Sequence, residues 1–277
     1  MCSSDLVFPL VHGSTGEDGV LQGFLELQGL PYVGSGVLAS AAGMDKVLSK
    51  NIAREHGLPV LPHVIVNGRD KRSVAAALRS ARGLGLPLFV KPVNLGSSVG
   101  VVKVKKFGDL AKAVAFAFRF DSAVMIEQGV DRAREIVCGV LGSASDAKAS
   151  VAGEVKPKGK HEFFDYEAKY LDDNGMDFTA PAGLSETTSG KLRIAAVDVF
   201  RALGCHGMAR VDFFLDPKNE RKFYFGEINT IPGFTSHSLY PTLWKNTGLD
   251  IVRLVDRLVK LAFERSRAKS ALKTVRQ

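Results

Sequence analysis

Short apolar runs bounded by glycine or proline alternate along this chain with stripes of helical period. Leu6–Val11 reads as a buried strand that feeds the glycine-rich turn His12–Gly19. Val20, Leu21, Phe24, Leu25 and Leu27 give one helical stripe, and Pro31–Gly34 reads as a second short strand. This βαβ-like unit stands alone and buries too little for a stable open sheet. Its sheet is therefore expected to be completed from elsewhere, or to lack elements upstream.

The pattern then becomes denser. A helix is predicted from about Asp45 to His56, stopped by Gly57 and Pro59. His63–Gly68 reads as a strand, Ser73–Gly85 as a helix and Leu86–Pro92 as a strand of nearly continuous apolar residues. Val99–Lys106 alternates as a strand should, Gly108–Phe120 is helical, and Ala123–Val130 is another buried strand. The order α-β-α-β-β-α-β describes a compact mixed unit ending near Val130. Arg134–Gly142 and Ser150–Pro157 read as strands, whereas His161–Leu184 shows no clear period and is expected to be a functional loop or lid. Thr187–Cys205 is an amphipathic helix. Met208–Asp216 and Lys222–Thr230 are strands joined by Pro217–Arg221, and Gly248–Arg265 is a final helix. The predicted class is α/β, of a mixed α+β kind.

Composition adds bounds. The 277 residues are 45% hydrophobic and 24% charged, ordinary for a soluble globular protein of about two domains. The net charge is +8, but Arg265–Gln277 carries five basic residues and no acid, and without that segment the charge is +3. The segment reads as a solvated, frayed tail, and the remaining charge suits an anionic substrate such as a nucleotide. No aromatic-basic stripe is present, so no nucleic-acid partner is expected, although a basic binding module is a rival reading from another class. The three cysteines, Cys2, Cys138 and Cys205, are too few and too far apart for a disulfide scaffold. No apolar run reaches membrane-spanning length, and Met1–Leu6 lacks the features of a signal peptide. The expectation is a cytoplasmic protein with no membrane partner.

The strongest chemical signal is the late strand pair. Side chains alternate along a strand, so Arg210 and Asp212 share one face, as do Glu227 and Asn229. A hairpin centred on its turn sets Asp212 opposite Phe225 and Arg210 opposite Glu227, which lets Asp212, Glu227 and Asn229 converge. Two carboxylates and an amide oxygen are hard ligands suited to Mg²⁺; a solvated face with an Arg–Glu pair is the plain alternative. Lys91 closes a buried strand just before a loop containing Gly96, Ser97, Ser98 and Gly100, whose backbone N–H groups suit anionic oxygens; an ordinary turn is the alternative there. Glu127 ends another apolar strand, and Gln128–Val130 offers backbone groups to an adenine edge. His12, alone before its turn, reads as structural on its own terms. His56, His63, His161, His206 and His237 form no metal spacing, and no G-x-S-x-G elbow supports a serine hydrolase.

Taken in order, "HGSTGEDGVLQG", "MDK", "KPVNLGSSVG", "FFDYEAKY", "ARVDFFLD" and "EINTIPGFTSHSLYP" resemble the D-alanine–D-alanine ligase family of the ATP-grasp superfamily, over roughly Leu6–Ala262. The resemblance implies a remnant of a Rossmann-like N-terminal domain at 1–43, a small ATP-grasp subdomain at 44–130, a C-terminal subdomain with the metal and substrate site at 131–265, and a basic tail at 266–277. It implies that Lys46, Lys91, Ser98 and Lys169 contact ATP, that Glu127, Gln128 and Val130 border adenine, and that Glu135 binds ribose. Asp212, Glu227 and Asn229 would hold two Mg²⁺ ions, with Mn²⁺ as an alternative. Arg210 and Gly233 would stabilise an oxyanion, Ser238 and Leu239 would hold the second D-alanine, and His12 would lie on the substrate side. Tyr170, on the lid, would approach Ser97.

The implied reaction is two-step. One D-alanine carboxylate attacks the γ-phosphate of ATP, and the second D-alanine amine displaces phosphate from the acyl phosphate. The "FFDYEAKY" segment resembles the dipeptide-forming branch, and the family implies a homodimer. Two departures stand out. The family's first β and α elements have no counterpart here, including a glutamate that grips the first D-alanine, and Gly226 replaces an apolar strand residue. A truncated fragment that binds ATP without turnover, or an ATP-grasp ligase with another second substrate, remain alternative readings.

Overall fold

The computed structural model describes residues 5–158, 175–235 and 238–272. Lys169, Tyr170, His161, His237 and most of the aperiodic segment lie outside the described residues. Two antiparallel sheets organise the rest. The first has the order β1-β4-β2-β3, built from β1 (His63–Asn67), β2 (Leu88–Pro92), β3 (Val102–Val104) and β4 (Ala123–Gln128). The second has the order β7-β6-β5-β8-β9, built from β5 (Arg134–Gly142), β6 (Lys148–Pro157), β7 (Met176–Thr179), β8 (Gly207–Leu215) and β9 (Phe223–Asn229).

Each sheet is covered on one face because its strands alternate. In the first, Leu88, Val90, Val104, Val124 and Ile126 pack against α4 (Lys71–Ala81) and α5 (Leu110–Ala117). In the second, Ile136, Val140, Val211 and Phe213 pack against α6 (Glu186–Ala202). The other face of the second sheet is covered in part by the helical segments Leu239–Asn246 and Ile251–Ser270, on which Val137, Leu141, Val155 and Met208 pack, and its remainder lines a cavity with the first sheet.

Helix α3 (Lys46–Glu55) bridges the sheets. Asp45 caps it, accepting from the amides of Val47 and Leu48, so the chain enters the helix at a fixed angle. The Lys46 amide donates to the Val93 carbonyl. At its far end the chain crosses from Pro59 to the second sheet, where the Phe225 amide donates to the Pro59 carbonyl.

Several sequence expectations are corrected. The two strands of the first unit reduce to one parallel bridge, Val7 with Tyr32. Leu10 and Val11 are half exposed, and among the described residues no further strand pairs with this segment. Between α1 (Val20–Leu27) and α3 lies a helix the periodicity missed, α2 (Val37–Met44), whose alanines and glycine give little stripe. Strand β7 interrupts the aperiodic segment, because four residues are too few to show a period. The last helix, α8 (Ile251–Ser270), runs beyond Arg265 into the segment expected to fray. Arg265 stacks 4.1 Å over the Tyr32 ring and donates to the Tyr32 carbonyl, and Lys269 pairs with Glu26.

Candidate active site

The metal-ligand candidates sit on β8 and β9, but in a register the sequence did not give. Asp212 pairs with Glu227, and Arg210 with Asn229. The expected partners, Phe225 for Asp212 and Glu227 for Arg210, are displaced by two residues, one already present toward the turn, where Leu215 pairs with Phe223, and one at Gly226. Phe213 pairs with Phe225 and Asp212 with Glu227, which leaves Gly226 as an unpaired bulge residue. A side chain there would stand 2.9 Å from the Asp212 carbonyl oxygen and 3.1 Å from the Phe214 ring. The glycine thus lets β9 kink against β8.

Arg210 grips Asp212 with its fork, Nε to Oδ1 and Nη2 to Oδ2, both at 2.7 Å. Burial pulls the Arg210 pKa down, but Asp212, Glu227 and Glu17 more than offset this and raise it, so the guanidinium is a permanent charge. Asn229 Nδ2 also reaches Asp212 Oδ2, at 3.2 Å. The donor set, two carboxylates and an amide on one face, fits a hard divalent cation. Among the described residues no cluster of three or more His, Cys, Asp or Glu side chains is arranged as a metal site. An ion here would complete its shell with the Asn229 amide oxygen, water and phosphate oxygens.

Lys91, Ser98, Glu135, Asp212, Glu227 and Leu239 all border the cavity between the sheets. A neighbouring cleft joins Lys46, Gly96, Glu17, Glu227 and Asn229. The glycine-serine loop therefore reaches the metal-ligand strand. Its shape is strained: Ser97 and Ser98 have φ of 55° and 57°, and Gly100 has φ of 72°. Left-handed non-glycine residues cost on the order of 1–3 kcal/mol each and collect at ligand clamps. Lys46 pins this loop by donating to the Leu95 carbonyl.

Glu127 departs from expectation. It borders the cavity, but it is 1% exposed and both carboxylate oxygens are directed to lysines, Oε2 to Lys91 Nζ at 2.5 Å and Oε1 to Lys50 Nζ at 2.8 Å. Its carboxylate cannot meet a nucleotide directly. Burial alone would raise its pKa; the two lysines reverse this and hold it at about 2. The adenine-edge expectation also narrows. The Gln128 amide donates to Pro62, the Gly129 amide to Pro87, and the Gln128 side chain to Leu84.

On the substrate side, Ser238 precedes α7 (Leu239–Asn246) without capping it. Its hydroxyl instead accepts from the Thr235 amide at 2.9 Å and lies where a Gly233 side chain would fall, 2.8 Å away. The Ser238 side chain therefore makes no capping bond to the start of α7. His12 Nδ1 sits 2.7 Å from the Ile231 carbonyl oxygen, and the Ile231 amide donates to Glu17 Oε1. These bonds tie the His12 turn to the Gly233 segment.

Two residues escaped the sequence reading. Glu17 was hidden inside its glycine-rich turn; it is buried, which raises its pKa, and it also accepts from the Gly13 amide. Lys50 was not singled out within its predicted helix. The signal was present in Ser49 and Ala53, small residues in phase with Lys46 and Lys50, all on the buried face of α3.

Comparison with known proteins agrees with this geometry. The D-ala D-ala ligase C-terminus family model matches residues 52–260, and the D-ala D-ala ligase N-terminus model matches residues 1–35. D-alanine--D-alanine ligase A of Salmonella typhimurium is 47% identical over 270 residues, covering 98% of this chain and 72% of that protein. D-alanine--D-alanine ligase of Thermoanaerobacter pseudethanolicus is 46% identical over 260 residues, covering 94% of this chain and 71% of that protein. Among solved structures, the D-alanine-D-alanine ligase from Coxiella burnetii has a TM-score of 0.83 at 41% identity, covering 97% of this chain and 70% of that one. The VanG D-Ala:D-Ser ligase from Enterococcus faecalis has a TM-score of 0.81 at 37% identity, covering 93% of this chain and 73% of that one. This chain belongs to the D-alanine–D-alanine ligase family.

Proposed function

We propose that this protein joins two D-alanine molecules to D-alanyl-D-alanine at the expense of ATP, through an acyl phosphate, for peptidoglycan precursor synthesis. The observation that carries the reading is the placement of Lys91 on one wall of the inter-sheet cavity and Asp212 paired with Glu227 on the other, with the start of α7 beside them. An anionic triphosphate between a lysine and two carboxylates requires divalent metal. Asp212, Glu227 and Asn229 would hold it as Mg²⁺, with Mn²⁺ as the alternative. When bound, the metal offsets charge between the phosphates and the attacking carboxylate.

The residues divide the remaining work. Lys91 and Lys46 hold phosphate oxygens from opposite sides of the glycine-serine loop, with Ser98 and the loop amides between them. Glu135 takes the ribose, and Val130 borders the base. Arg210 keeps three N–H groups beyond its two bonds to Asp212 and directs positive charge to the oxyanion that forms when the second amine attacks. Gly233 exposes backbone to that oxyanion. Ser238 and the Leu239 amide receive the carboxylate of the second D-alanine, and His12 supports that wall through Ile231. D-Alanine as second substrate is supported by the two ligases named for it. A cytoplasmic setting agrees with the free, buried Cys138 and Cys205, and among the described residues no helix is long and apolar enough to cross a membrane. A homodimer is part of the reading, supported by the exposed Val20, Phe24 and Leu27 on α1.

The test is phosphate release with ATP, Mg²⁺ and D-alanine, run beside L-alanine and no amino acid. Release that requires D-alanine, with dipeptide formed in step, is expected. Release indifferent to D-alanine, or none at all, would overturn the reading.

A further inference from the structure

Lys50 is the most deeply buried cation among the described residues, with a side chain 0% exposed. It does not border the cavity, and the reaction described above does not use it. Such a lysine is costly to bury unless its charge is answered, and here the answer is specific. Its Nζ lies 2.8 Å from Glu127 Oε1, donates to the Phe225 carbonyl at 2.9 Å, and sits 5.6 Å from the Phe225 ring centroid. Glu127 in turn presents its second oxygen to Lys91, at 2.5 Å. The result is a row of three charges, positive, negative, positive, running from the interior of α3 to the cavity wall.

The sum of that row matters at the wall. Without Lys50, Glu127 would neutralise Lys91, and the pair would present no net charge to an anion. With Lys50 present, the row carries one net positive charge, and its exposed end is Lys91, 12% exposed beside the cavity. We propose that Lys50 is a positioning residue for nucleotide binding, engaging Glu127 so that the charge of Lys91 remains available to the triphosphate. The proposal rests on the ligase reading only in taking ATP as the anion. The Phe225 carbonyl serves as the anchor, since it is main chain and fixed by the pairing of Phe225 with Phe213. Burial lowers the Lys50 pKa and Glu127 opposes that fall, which agrees with a cation held by one carboxylate.

The decisive experiment compares the dissociation constant for ATP with Mg²⁺, measured by calorimetry, in the unsubstituted chain, Lys50→Met, and the double variant Lys50→Met with Glu127→Gln. Removing one elementary charge from the row behind Lys91 is expected to weaken ATP binding by about tenfold or more in Lys50→Met. The double variant restores the net charge of the row and is expected to return to within about threefold of the unsubstituted chain. A merely structural lysine would not be rescued by a second substitution beside it. Circular dichroism and thermal unfolding establish that each variant is folded. If Lys50→Met does not fold, Lys50→Gln takes its place, alone and with Glu127→Gln. Unchanged ATP binding in the single variant, or a double variant no better than the single, overturns the proposal. ATP that fails to bind the unsubstituted chain overturns the ligase reading instead, and this one with it.

Discussion

Asp212 faces Glu227 across β8 and β9 only because Gly226 is left out of the pairing between them. The bulge shifts the register by one residue and sets the two carboxylates side by side. Gly226→Val would drive a side chain into the Asp212 carbonyl and the Phe214 ring, at 2.9 and 3.1 Å from its Cβ. Thermal unfolding should show a loss of about 1–3 kcal/mol. The Mg²⁺ concentration for half-maximal phosphate release should rise as Glu227 moves off Asp212. A variant that keeps its metal dependence would separate the bulge from metal placement.

Arg210→Ala removes both bonds to Asp212 and, on the proposed function, the charge that meets the developing oxyanion. The turnover number should fall by about 10²–10³. Arg210→Lys retains charge but not the two-pronged geometry, and should lie between the two. Steady-state rates at saturating ATP and D-alanine provide the check.

Gly233→Ala places a methyl group 2.8 Å from Ser238 Oγ. The hydroxyl must leave the Thr235 amide, and the entrance to α7 shifts with it. The KM for D-alanine should increase several-fold while the dissociation constant for ATP stays unchanged. Equal effects on both would mean that the segment serves the whole cavity.

Glu127 supplies an acid limb to the stability profile. Its pKa falls from 4.5 to about 2 on folding, so the unfolded chain binds the proton more readily. The sign follows: this stabilisation is complete above about pH 4.5 and is lost as pH falls toward 2. Denaturant titrations across that window should show the slope in the unsubstituted chain. Glu127→Gln should flatten it.

Much of this was legible in the sequence, for stated reasons. The α-β-α-β-β-α-β order through Val130 is visible because most of its elements are long enough to show their period and end near glycine, proline or aspartate; β3, three residues long, was read too long as Val99–Lys106. Asp212, Glu227 and Asn229 declared themselves by alternation. Their register did not, since one unpaired residue leaves the pattern of each strand intact while sliding it past its neighbour. The burial of Lys50 showed only through its small neighbours Ser49 and Ala53, because a lysine in an amphipathic helix itself looks the same whether it faces water or a carboxylate on a strand 77 residues later. Leu6–Val11 was misread in the other direction. Its apolar run is that of a buried strand, and only the neighbours of Val7 determine whether it becomes one.

The grip of Arg265 on Tyr32 and of Lys269 on Glu26 has a consequence in time. These partners are separated by more than 230 residues of chain. At about 5–20 residues per second, a ribosome makes the first partners roughly 10–50 seconds before the second. The segment from α1 to Tyr32 therefore waits until α8 arrives to close over Tyr32. The segment around α1 is made long before it is secured.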